Sequence, residues 1–108
     1  MPLPGETIFQ KHFPNSFRET PLLDHLHSLG IQQLIIAGMM THMCIDATTR
    51  AANDFGFDCL LAHDACATRM VHFKDEAIPA SHVHGAFLAA LGSYAKVLSV
   101  DEILAQIN

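Results

Sequence analysis

Charge is scarce in this chain, and basic charge scarcer. Of 108 residues only 16% are charged, and six Lys and Arg stand against eleven Asp and Glu, for a net charge of −5. With no basic cluster the electrostatic footprint of a nucleic-acid binder is missing, so no nucleic acid is expected as a partner. No apolar run reaches the ~18 residues of a membrane span, and the opening MPLPGETIFQKH lacks the charged-then-apolar layout of a signal peptide. No membrane partner is expected, and the cytoplasm is the expected location. The cysteines Cys44, Cys59 and Cys66 are odd in number and form no CxxC pair. That argues against a disulfide framework or zinc ribbon and for free thiols in a reducing compartment. No repeat, low-complexity tract or linker divides the chain, so residues 1–108 are read as one domain.

Apolar residues are plentiful, at 50%. Small domains have proportionally more surface to keep wet, so this is rich for the length. Some apolar surface is expected to meet a partner, and a homo-oligomer is the expected form.

Four apolar, β-rich runs stand out: Thr7–Gln10, Leu34–Ala37, Asp58–Ala62 and Lys96–Ser99. The second and third are nearly continuous in apolar residues, as strands buried on both faces of a parallel sheet should be. Helical patterns lie between them. Pro21 opens one that carries Leu22, Leu23, Leu26 and Leu29 and stops at Gly30. The next begins around Thr41 to Met43 and ends at Gly56, with Cys44, Thr48, Ala51, Ala52 and Phe55 at intervals of three or four. A third runs from Pro79 to Leu91 with Val83, Phe87, Ala90 and Leu91 as its stripe. Ser99 and Glu102 have the spacing of a capping box ahead of a short terminal helix. This alternation predicts an α/β fold, a three-layer α/β/α Rossmann-like arrangement with a mainly parallel sheet. The stretch 64–77 is expected as a polar loop at the carboxyl edge, where such folds bind ligands.

Cys44 falls where a strand gives way to a helix. The first N–H groups of a helix have no internal partners, and the peptide dipoles place partial positive charge there. Both favour a thiolate, and the same donors can hold an oxyanion formed by its attack on a carbonyl. Placement alone leaves a second reading open, an inert thiol on the small-residue face of a helix. Cys59, inside an apolar run, reads as core, and Cys66 as structural.

The words around Cys44 add to this. IIAGMMTHMCIDATTRAANDFGF followed by LLAHDACAT, with KHFPNSF upstream, resembles the isochorismatase-like cysteine hydrolases, the family that includes nicotinamidases. Gly38, Thr41 and Cys44 match the family's G-x-x-T-x-x-C signature. The resemblance implies that Cys44 is the nucleophile and that Lys11 is the lysine that supports its charge changes. It further implies a cis peptide between Met39 and Met40, which would aim the N–H of Met40 together with that of Cys44 at an oxyanion. The family's catalytic aspartate, and inner strands of its sheet, come from a segment that normally precedes the region where this sequence begins. The resemblance is therefore to the carboxyl-terminal part of the family fold, with the general base unassigned.

Two functions follow. One is a hydrolase acting on a small amide or related substrate through Cys44, active if the base is supplied; the other is a catalytically incomplete domain that serves in oligomerisation or binding. Phe13 and Phe17 flank the lysine segment and are expected either to wall an apolar substrate pocket or to belong to the core. Thr41 is expected either at substrate or capping the helix through its hydroxyl, and His42, two residues before Cys44, either to face substrate or to be a polar residue at the start of the helix. His25-x-His27 and His82-x-His84 lie in helical patterns, where a spacing of two turns the side chains apart, so neither is a chelate. No metal and no cofactor are expected, and the partner is a small-molecule substrate.

Overall fold

A computed structural model describes residues 2–107. Its elements in chain order are α1 (Leu22–Ser28), β1 (Gln33–Met39), a π-helical turn (Thr41–Ile45), α2 (Asp46–Asp54), β2 (Asp58–Ala67), β3 (Val71–Phe73), β4 (Glu76–Ile78), α3 (Ala80–Leu91), β5 (Lys96–Leu98) and α4 (Val100–Ile107).

Strands β1, β2 and β5 form one sheet in the order β1-β2-β5, with both pairings parallel. Central β2 decides the layering. Its Cys59 and Leu61 point into a cluster with Ile36, Ala52 of α2 and Leu91 of α3, while Leu60 and Ala62 meet Ile103 of α4. Successive strand residues face opposite sides, so helices cover both faces of the sheet and the fold is the α/β class that the alternation predicts. Cys59 to Ala62 are all buried, as expected of a two-sided strand.

β1 departs from that expectation. It has one neighbour, only Ile36 is buried along it, and Ile35 is 51% exposed. The run Thr7–Gln10 forms no strand. A short β-rich run becomes a strand only where another strand supplies ladder partners, and here Phe9 instead packs edge-on against the His25 ring.

The predicted loop 64–77 is also more regular than expected. β2 continues to Ala67, and β3 and β4 pair as an antiparallel hairpin. The β1–β2 ladder is interrupted on the way: Ile36 pairs with Leu61, yet Gly38 pairs with Cys66. The bulged stretch presents the His63 carbonyl to α3 and the Asp64 carboxylate to α4, where it accepts the Val100 N–H at 2.8 Å.

Candidate active site

The strand-to-helix turn is built from Gly38 onward. Gly38 has φ +133°, a conformation that a side chain would strain. The Met39–Met40 peptide is cis. The chain then winds wider than an α-helix, with the Ile45 N–H donating to the Met40 carbonyl at 3.2 Å, five residues back. Cys44 thus stands in a π turn ahead of α2 rather than in that helix's first turn. A single π turn joined to an α-helix is a recurrent feature of functional sites.

This turn divides the predicted helix face into two. Ile45, Thr49 and Ala52 are the residues buried against the sheet. Cys44 and Thr48 instead border a cavity of about 170 Å³, lined with them by Lys11, Ser16, Ile36, Ala37, Gly38, Met39 and Ile45. The Lys11 ammonium lies 3.0 Å from the Cys44 sulfur and also donates to the Phe13 carbonyl at 3.2 Å. Cys44 and Lys11, far apart in sequence, therefore meet directly.

Other residues expected at substrate do not line this cavity. Phe17 is 8% exposed and belongs to the core, edge-on to Phe55 and stacked on Phe57. Phe13 carries the Arg18 guanidinium over its ring at 3.7 Å. Thr41 has no exposed surface and makes no helix cap. Its hydroxyl lies 2.8 Å from His84 Nδ1 and 3.3 Å from the Ala67 carbonyl. His42 Nδ1 is 2.7 Å from the Thr68 hydroxyl, with the ring edge-on to Phe87. Thr41 and His42 thus tie the turn to the end of β2, to Thr68 just beyond it and to α3.

His84 on α3 is a residue the sequence reading missed. Its Nε2 is 3.1 Å from the His63 carbonyl, which can only accept, so Nε2 carries a proton. The ring thereby links the Cys44 turn to the bulge in β2. It belongs to the dismissed His82-x-His84 pair, and nothing local in the sequence signals a partner so distant. Thr48 and Ser16 were also missed. Thr48 had a signal, since four residues beyond Cys44 is the same helix face.

Charge near the thiol is limited. Among the described residues no Asp or Glu lines the cavity, and the one ion pair joins Asp46 to Arg50 at 3.0 Å. No group of three or more His, Cys, Asp or Glu among the described residues is gathered so as to hold a metal. Burial pushes the Cys59 and Cys66 thiols up from the ordinary range. A larger and more open hollow, about 280 Å³, is lined by Cys66, Ala67, Thr68, Ala80, Ser81 and His84, and it contains neither member of the Lys11–Cys44 pair.

A parallel sheet layered between helices defines an α/β protein, and a cysteine at the strand-to-helix turn with a lysine on its sulfur makes a candidate site. The chain belongs to the isochorismatase family, whose Isochorismatase domain model matches residues 1–91. It is 48% identical over 104 residues to an uncharacterized isochorismatase family protein, YddQ, of Bacillus subtilis, covering 95% of this chain and 58% of that one. Nicotinamidase 3 of Arabidopsis thaliana is 32% identical over 84 residues, with 78% and 40% covered. Among solved structures, a candidate isochorismatase hydrolase from Oleispira antarctica superposes with a TM-score of 0.92 at 50% identity, covering 96% of this chain and 56% of that one. The chain thus spans between 40% and 58% of the length of these three relatives.

Proposed function

We propose that the chain carries the nucleophilic part of a cysteine hydrolase site acting on a small amide or a related C–N or C–O bond. The observation that supports this best is the 3.0 Å approach of the Lys11 ammonium to the Cys44 sulfur. An ammonium at that distance can support the negative charge that the sulfur carries as it attacks and as it is released. The sulfur adds to the amide carbon, and the N–H groups of Met40 and Cys44 are the proposed donors to the oxyanion. The amine leaves with the proton that the thiol gave up, and water then adds to the thioester, passing its own proton to a base, to release the acid and the sulfur. A cavity of about 170 Å³ admits the reacting end of a substrate rather than a large molecule, and the likeness to a nicotinamidase favours a carboxamide.

Turnover also needs a group to take the proton of the hydrolytic water. No carboxylate among the described residues lines the cavity, so the reading assigns that role to a carboxylate from outside the described residues.

Acylation can be tested without that base. With p-nitrophenyl acetate the chain should gain one acetyl group on Cys44 by peptide mass spectrometry. Cys44→Ala should abolish this, and Lys11→Met should slow it about tenfold or more. Acylation that persists unchanged in Cys44→Ala would sink the nucleophile assignment. No acylation at all would favour the domain of binding or oligomerisation.

A further inference from the structure

Lys11 sits in a segment with no ladder to hold it: residues 2–21 contain no helix or strand, and Lys11 itself is exposed. A lysine side chain has four rotatable bonds and in water samples many rotamers. A close ammonium–sulfur approach therefore depends on where the backbone beneath the lysine is fastened.

The fastening is at Thr48, one helical turn beyond Cys44 and on the same face. The Ser16 N–H donates to Thr48 Oγ1 at 3.0 Å. The Thr48 hydroxyl has one proton of its own, with Ser16 Oγ at 3.0 Å and the Pro14 carbonyl at 3.3 Å as its acceptors. Beyond this tie the segment is knotted. Asn15 Oδ1 accepts the Phe17 N–H at 2.9 Å, the Thr20 hydroxyl donates to the Ser16 carbonyl at 2.6 Å, and Phe17 is sunk in the core. Residues 11–13 project from that knot, and Lys11 bonds back to the Phe13 carbonyl.

We propose that Thr48 is a positioning residue, which through Ser16 and Pro14 sets the Lys11 ammonium against the Cys44 sulfur. The proposal rests on the reading of Lys11 and Cys44 as the working pair. It places the control of that pair in one hydroxyl on α2, the helix that the Cys44 turn leads into.

The test uses the full chain and four variants: Thr48→Val, which keeps volume and β-branching but loses the hydroxyl, Thr48→Ser, which keeps it, Lys11→Met, and Lys11→Met with Thr48→Val. Alkylation of Cys44 by iodoacetamide at neutral pH is followed by peptide mass spectrometry, and exchange of the Ser16 amide by NMR. Thr48→Val should slow alkylation about tenfold and speed exchange at Ser16, whereas Thr48→Ser should stay within about twofold of the parent. In the Lys11→Met background Thr48→Val should change alkylation by no more than about twofold, because there is no ammonium left to position.

Where Lys11→Met slows alkylation, an unchanged rate in Thr48→Val overturns the proposal. So does an equal slowing with Lys11 already removed, which is general distortion of the Cys44 turn. If Lys11→Met alone leaves alkylation unchanged, the pair reading fails by itself. Labelling of Lys11 with an amine acylating reagent then judges the positioning: faster labelling in Thr48→Val upholds it, and an unchanged rate rejects it.

Discussion

Thr41 and Thr49 are both fully buried and differ in what their hydroxyls meet. Thr41 bonds His84 and the Ala67 carbonyl, whereas Thr49 Oγ1 has no hydrogen-bond partner among the described residues. Removing a partnered hydroxyl strands the groups it served, while removing an orphan strands nothing. Thr41→Val should therefore lower unfolding stability by about 1–3 kcal/mol, and Thr49→Val should leave it unchanged or raise it by about 1 kcal/mol. Denaturant melts of both variants check this, and an equal loss in each would contradict it. What the sequence disclosed at this scale follows the range of the interactions. Gly38 and Cys44 were legible because a strand-to-helix turn is local. The roles of Thr41, His84 and Ser16 depend on contacts across the fold, which no spacing records.

At the scale of elements, the short-range signals served best. Helix α4 opens with both halves of the expected capping box: the Ser99 N–H donates to Glu102 Oε1 at 3.0 Å, and the Glu102 N–H to Ser99 Oγ at 3.1 Å. The backbone N–H of Ser99, with help from its hydroxyl, holds the Glu102 carboxyl below the usual range. A depressed native value means that the unfolded chain takes up this proton first as pH falls. The box's contribution is present above the ordinary glutamate range and is lost as pH falls through the native value. Glu102→Gln should therefore flatten the decline of α4 amide protection on acidification, read by hydrogen exchange, and an unaltered slope would refute the link. The run Thr7–Gln10 misled because strand formation needs a neighbour, and the π turn was invisible because the periodicity of 41–56 is compatible with either winding. The consequence was a core face misplaced in part: Ala52 is buried as expected, yet Ile45 and Thr49 are buried beside it, while Thr48 and Phe55 meet the segment around Ser16 and Phe17.

Across the whole molecule, order is unevenly shared. The radius of gyration is 14.6 Å, with extents of 47 × 33 × 29 Å, against roughly 13 Å for a compact domain of 100 residues. Leu60 and Leu61 in β2 and Leu91 in α3 have no exposed surface, whereas Leu3, Ile8, Phe73 and Ile107 are each more than half exposed. The apolar richness of the composition therefore fills a core centred on β2 and also coats the outside. Among the described residues no helix is long and apolar enough to cross a membrane. Exchange protection follows burial and ladder bonds, and it reaches the global unfolding free energy only in the best-packed strands and helices. The amides of Leu60 and Leu61, in register with both β1 and β5, should exchange slowest. Those of residues 7–10 should exchange fastest, because no ladder holds them. Ser16 and Phe17 should stand out within the lysine segment as protected amides, since Thr48 and Asn15 accept their N–H groups. Native-state exchange followed by NMR resolves all three groups at once. Protection at 7–10 equal to that of β2 would show that the amino-terminal run is paired in solution, and the exposed strand β1 would be the first place to look for its partner.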